Sequence, residues 1–243
     1  MKVVTCLILL LLIFTDDGVA SSVELGEPAL QVDESNASFF KGHGGSAKNS
    51  NSAVASGVNM GAPVVGGSGC TSGTVAASLT PDGKTMSLLF DNYVALAGES
   101  YGTNRDVKLC TLQIPIDVPA GLQFTVVKLD YRGFNSIPGP GRTRYVTLYS
   151  FVDPVTQRQL GRRVRRRYNF TGPLEENFIL SSDVSTTPVW SRCGRKINLR
   201  IDTRIVAATN KKNIDVMAMM DSIDGSVGSS TTNYHILWRR CQR

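Results

Sequence analysis

Histidine is nearly absent from this chain, with two in 243 residues. Zinc hydrolases and His-assisted nucleophiles need two or three imidazoles converging on one site, so this scarcity thins the catalytic possibilities. The sequence holds no Cys-x-x-Cys pair, no P-loop and no His-Glu-x-x-His, the spacings that zinc, phosphate and metalloprotease chemistry use. Beyond the first residues no apolar run approaches the ~20 positions of a membrane-spanning helix. Nor does any long stretch repeat its apolar residues every 3.6 positions, which leaves little room for helix.

The residues present divide the chain in three. Lys2 precedes a run from Val3 to Phe14 that is apolar but for Thr5, followed by small residues at Gly18 and Ala20. This is the form of a secretory signal at 1–20, with no transmembrane segment after it. Cleavage after Ala20 removes Cys6 and leaves Cys70, Cys110, Cys193 and Cys241 in an oxidising compartment, where an even count points to disulfides. Secretion also makes the sequons at Asn36 and Asn169 candidate glycosylation sites. From 21 to 69 the only aromatics are Phe39 and Phe40, and positions 41–69 hold eight Gly and five Ser. Such a segment buries too little apolar surface to offset its ordering entropy, so 21–69 is expected to be a flexible tail.

After Cys70 the pattern becomes period-two alternation broken by turn residues, the signature of strands. Val75, Ala77 and Leu79 alternate, Thr80-Pro81-Asp82-Gly83 turns, and Met86, Leu88 and Phe90 alternate back as a hairpin. Cys110, Leu112, Ile114, Ile116 and Val118 share one face, with Pro115 opposite marking an edge or bulge. Further strands are expected at 124–131, 145–152, 164–170, 197–207, 214–220 and 234–238. Residues 70–243 are therefore expected to form an all-β domain, a two-sheet antiparallel sandwich or jelly roll.

Gly69-Cys70, Ser78-Leu79-Thr80-Pro81-Asp82-Gly83-Lys84-Thr85-Met86, Phe90-Asp91, Asp130-Tyr131-Arg132-Gly133, Val189-Trp190-Ser191-Arg192-Cys193-Gly194 and Tyr234-His235-Ile236-Leu237-Trp238-Arg239-Arg240-Cys241 occur in that order. In these motifs residues 69–241 resemble a secreted domain-of-unknown-function family, number 4360. The resemblance implies one extracellular β-rich domain, with Cys70 paired to Cys110 and Cys193 to Cys241. It supplies no activity. Two features depart from it: the Gly/Ser tail lies outside the domain, and a strand that is usually polar and Ser/Thr-rich is here a run of arginines.

That run holds Arg158, Arg162, Arg163, Arg165, Arg166 and Arg167. On a strand, Arg163, Arg165, Arg167 and Asn169 share one face and Val164, Arg166, Tyr168 and Phe170 the other. The first must face solvent, because burying unpaired guanidiniums is prohibitive. Residues 70–243 carry 23 basic and 14 acidic side chains, a net +9, against two and four over 21–69. Such a stripe attracts polyanions, and Arg162, Arg163, Arg165 and Arg167 are the candidate anion-binding residues. In the extracellular space the fitting partner is an anionic polysaccharide or matrix component, not nucleic acid. Two other readings are an edge strand charged against aggregation and a dibasic processing site at 163–166.

Asp91, Asp106, Asp117, Asp130 and Asp153 are possible hydrolase carboxylates, but no spacing singles out a pair. His235 has no nucleophile motif beside it and reads as a structural histidine. Asp221 to Gly225 lacks the spaced oxygens of a calcium loop and reads as a turn. Trp190, Trp238 and Tyr131 form either a sugar-stacking platform or, beside the cysteines, core packing. No catalytic residue, cofactor or metal is assigned. The reading is a non-enzymatic, disulfide-bonded extracellular protein of the matrix or wall, and the competing one is a secreted polysaccharide-directed hydrolase or defence effector.

Overall fold

The computed structural model describes residues 57–211, 213–220 and 231–242; Asn36, the signal at 1–20 and the turn at 221–225 lie outside them. In chain order the strands are β1 (Asn59–Met60), β2 (Val64–Gly66), β3 (Val75–Leu79), β4 (Thr85–Phe90), β5 (Tyr93–Ala97), β6 (Arg105–Asp117), β7 (Leu122–Ile137), β8 (Arg142–Val152), β9 (Gln159–Thr171), β10 (Leu174–Asp183), β11 (Lys196–Ala208), β12 (Val216–Met220) and β13 (Thr232–Arg240). One 3-10 turn, Glu99–Tyr101, follows β5. Two antiparallel sheets result. The first runs β1-β6-β11-β8-β9, with β2 beside β1 on the same strand β6. The second runs β3-β4-β13-β7-β12-β5, with β10 on the other edge of β7.

The apolar alternation fills the space between the sheets. Leu112, Ile114, Leu199, Ile201, Tyr149 and Phe151 of the first sheet meet Met86, Leu88, Phe90, Tyr93, Leu129 and Tyr234 of the second, all buried. A few polar pairs cross this core. The Tyr93 hydroxyl and Thr203 Oγ1 are hydrogen-bonded at 2.9 Å, and Asn135 Oδ1 accepts from Thr143 Oγ1 at 2.7 Å and the Tyr145 hydroxyl at 2.8 Å. Disulfides join Cys70 to Cys110, 40 residues apart, and Cys193 to Cys241, 48 apart. Each closes a loop long enough to lower the denatured chain's entropy by about 4 kcal/mol on the loop-closure model. Gly69 packs against the Tyr93 ring so closely that a Cβ would lie 2.2 Å from it, so no larger residue fits beside Cys70.

Two expectations need correction. The tail expected through residue 69 ends earlier, because β1 and β2 pair with β6 at Asn59↔Asp117, Met60↔Ile116 and Val64↔Gln113. Val65 and Met60 pack on the core edge, and their pairing covers the side of β6 whose backbone would otherwise be open to other chains. Strands β5 and β10 were not anticipated. β5, Tyr-Val-Ala-Leu-Ala, is apolar on both faces and shows no alternation, whereas β10 buries only Phe178.

Candidate anion-binding face

The hairpin β8–β9 positions the site. Phe170 stacks on Phe178 with centroids 5.2 Å apart, and Tyr145 meets both rings edge-on at 5.8 and 4.9 Å. This aromatic cluster fixes the inner face of β9. Val164 is buried and Arg166, Tyr168 and Phe170 are half-buried, while Arg163, Arg165, Arg167 and Asn169 are exposed. Arg166 closes the edge of the sandwich: its Nε donates to Ser182 Oγ at 2.6 Å and its Nη2 to the Asp183 carbonyl at 3.2 Å, tying β9 to the end of β10.

Register then assembles the outer face of the first sheet. Arg142 pairs with Thr171, Arg144 with Asn169, and Val146 with Arg167. On the other side of β8, Arg142 pairs with Ala208, Arg144 with Val206 and Val146 with Arg204, and Ala208 pairs in turn with Arg105 of β6. Arginines from four strands thus share one face. Between them is a cavity of about 300 Å³ with Val206 and Ala208 in its floor and Arg105, Arg142, Arg144, Arg167 and Asn169 in its walls. Val206 and Val146 point outward yet are each only 6% exposed, as expected where aliphatic arginine stems lie over small β-branched residues.

The charge of this cavity is uncompensated. Among the described residues no carboxylate lies within ion-pair distance of Arg105, Arg142, Arg144 or Arg167. Of the acids that register places on this face, Asp202 accepts a two-pronged contact from Arg200 at 3.0 Å and a bond from Thr111 at 2.8 Å, and Asp117 pairs with Lys196 at 3.5 Å. Arg144 Nε donates to Asn169 Oδ1 at 2.8 Å, which orients one guanidinium without neutralising it.

The four sequence candidates are dispersed by comparison. Arg167 lines the cavity. Arg165 lies one row further along, opposite Leu148. The register shifts between Tyr149↔Val164 and Phe151↔Leu160, a bulge at Gly161, whose φ is +73°. There Arg163 Nε donates to Gln159 Oε1 at 2.5 Å, and Arg162 Nη2 turns to the Thr187 carbonyl at 2.6 Å. Sequence reading missed Arg105, Arg142, Arg144 and Arg204. Only Arg142-Thr143-Arg144 carried a local signal, an alternation that puts both guanidiniums on one strand face.

Of the carboxylates considered for hydrolysis, Asp106, Asp130 and Asp153 are each engaged separately. Asp106 accepts from the Leu96 backbone at 3.0 Å and pairs with Lys108. Asp153 closes a turn by accepting from the Val155 and Thr156 backbones and meets Arg192 at 3.3 Å; chiefly the Thr156 bond holds its carboxyl below the ordinary range. Asp130 accepts from Ser181, from Lys128 at 3.0 Å and faces His235 Nε2 at 2.7 Å. Partial burial resists its ionisation, but the bonds from Ser181, His235 and Lys128 together outweigh that and lower its pKa. The aromatic platform is not assembled: Trp238 is buried, donating to the Gly83 carbonyl at 2.8 Å, Tyr131 is buried, and Trp190 lies under Arg239, whose Cζ is 3.6 Å from the ring centroid. Among the described residues no cluster of three metal-ligating side chains occurs, and no helix is long and apolar enough to cross a membrane.

Among the known proteins to which the chain is similar are one curated relative and two solved structures. An "Uncharacterized secreted protein" of Arthroderma benhamiae is 30% identical over 177 residues, 72% of this chain and 69% of that protein. Among solved structures, TmCBM61 in complex with β-1,4-galactotriose covers 74% of this chain and 88% of its own at 11% identity and a TM-score of 0.26. The CBM22-1–GH10 modules of Clostridium thermocellum xylanase 10B, complexed with xylohexaose, cover 59% of this chain and 24% of theirs at 10% identity and a TM-score of 0.23. Structural likenesses this shallow carry no argument about this chain. The family described as "Domain of unknown function (DUF4360)" matches residues 56–241, and the chain belongs to that family, as a secreted, disulfide-bonded, all-β protein.

Proposed function

We propose that this secreted protein is a non-enzymatic module that holds anionic polysaccharide of the extracellular matrix or wall against the outer face of its first sheet. One observation carries the reading: Arg105, Arg142, Arg144 and Arg167, from three strands, line a single cavity without a carboxylate partner among the described residues. Guanidinium presents a planar fork of donors that matches carboxylate and sulfate oxygens and is held less tightly by water than an ammonium. Several such forks on one face gain further from release of counterions condensed on a polyanion. In this reading residues 1–20 direct export, Arg166 acts as a structural clasp, and Asn169 is a glycosylation site at the cavity wall.

The test is retention on immobilised heparin across a salt gradient. Wild type is expected to bind at low salt and elute as salt rises, and the Arg142→Ser, Arg167→Ser double variant to elute much earlier. Retention unaffected by salt, or equal for the two proteins, overturns the proposal. Shortening of the glycan during incubation overturns its non-enzymatic part.

A further inference from the structure

The cavity among the arginines does not close at the end of the sheet. A second cavity of about 280 Å³ shares Arg105, Arg142 and Ala208 with it and continues to Asn104, Thr209 and Asn210. A third, of about 700 Å³, shares those last three residues and runs on past Thr103 to Glu99 and Lys211. Register explains the continuity. Arg105, Ala208 and Arg142 form the last cross-strand row of β6, β11 and β8. The next step is held by the Thr209 backbone donating to the Asn104 carbonyl at 3.0 Å. Beyond it the Gly98 backbone and Thr103 carbonyl close the loop at 2.7 Å. The far end is rigidly built, since the Asn213 backbone donates to Glu99 Oε2 at 2.9 Å and the Ser100 backbone to Asp215 Oδ1 at 3.1 Å.

Chemistry changes along this groove. Its first part is lined by guanidiniums, and its middle by two primary amides beside Thr209, whose hydroxyl accepts from the Lys211 backbone at 3.2 Å and donates to its carbonyl at 3.5 Å. Neither the Asn104 nor the Asn210 side chain makes a hydrogen bond among the described residues, so each keeps two donors and an acceptor to offer. An isolated anion needs only the first part. A chain that carries an acidic group on one unit and free hydroxyls on the next matches both, because a primary amide can donate to one hydroxyl while accepting from its neighbour.

Building on the anionic-polysaccharide reading, we infer that the groove takes a linear glycan several sugars long. An acidic sugar sits among Arg105, Arg142, Arg144 and Arg167, and the sugars that follow lay their hydroxyls on Asn104 and Asn210. Recognition is then of chain length and hydroxyl pattern as well as of charge.

Calorimetric titration with hyaluronan-derived oligosaccharides, from disaccharide to octasaccharide, in which a carboxylate-bearing sugar alternates with an uncharged one, tests this. For wild type, affinity is expected to climb with length and then level off. For the Asn104→Ala, Asn210→Ala double variant the gain with length is expected to shrink about tenfold, while disaccharide affinity and salt dependence stay as in wild type. Asn210→Ala alone, at an exposed position outside the strands, shows a smaller loss in the same direction and serves if the double variant does not fold. If the amide variants match wild type at every length while Arg142→Ser loses binding, the groove is overturned and the arginine site stands. If wild type binds no length yet is retained on heparin, the groove falls and the arginine site stands; if it binds neither, both fall.

Discussion

Arg144 Nε donates to Asn169 Oδ1 at 2.8 Å across the β8–β9 ladder, so the second sequon stands in the wall of the cationic cavity. The Asn169 amide nitrogen, the atom that N-glycosylation modifies, has no protein partner among the described residues. A glycan there lies over the cavity mouth. Asn169→Gln made in a glycosylating host is expected to need more salt than wild type for elution from heparin, whereas the same pair made in a non-glycosylating host should elute together. Identical elution from both hosts would rule out the shielding.

Arg105 and Arg142 border the cavity, whereas Arg163 and Arg165 lie beside it in the bulge and the next row. The Arg105→Ser, Arg142→Ser pair should therefore weaken heparin binding more than Arg163→Ser, Arg165→Ser. Each lost contact is expected to lower the slope of log affinity against log salt by about 1. Equal losses would mean that the protein presents a diffuse charge with no site.

Tyr93 is fully buried in the second sheet, and its hydroxyl meets Thr203 of the first. Phenylalanine in its place keeps the ring packing and removes that bond, while Thr203 Oγ1 retains its contact with the Cys110 carbonyl at 3.4 Å. Tyr93→Phe is expected to cost about 1 kcal/mol in urea unfolding with the slope unchanged. An unaltered midpoint would show that the inter-sheet bond adds nothing.

Asp130 is a depressed carboxylate on the outer face of the second sheet, held down against its partial burial by Ser181, His235 and Lys128. A group whose pKa is lower folded than unfolded stabilises the fold above its unfolded pKa and loses that contribution as pH falls through the folded value. Melting temperature should thus fall on acidification below about pH 4. Asp130→Asn should flatten part of that decline while lowering stability at neutral pH. Asp82, Asp153 and Asp183 are lowered too, so some slope persists. A variant whose acid limb overlays wild type would show that Asp130 takes no part.

Strands with one wet and one buried face were legible in the chain. Val164, Tyr168 and Phe170 alternating with Arg165, Arg167 and Asn169 announced both β9 and its orientation, because side chains on a strand point to opposite faces every second residue. β5 escaped because both of its faces are apolar, and β10 because an edge strand with one buried residue has nothing to alternate. β1 and β2 escaped because a Gly/Ser-rich stretch lacks the apolar surface to order itself, and here it borrows order from the open side of β6.

By itself, then, the sequence determined the all-β class, four bridging cysteines outside the cell, and a strand whose arginines must face water, all consequences of local periodicity, composition and the cost of burying charge. Tertiary structure decided which arginines lie together. Arg105 and Arg167 are 62 residues apart and meet at one cavity only because β6, β11, β8 and β9 lie side by side in a particular register. Which strands become neighbours is set by the packing of two sheets over a shared core, and no local window of the chain contains that information.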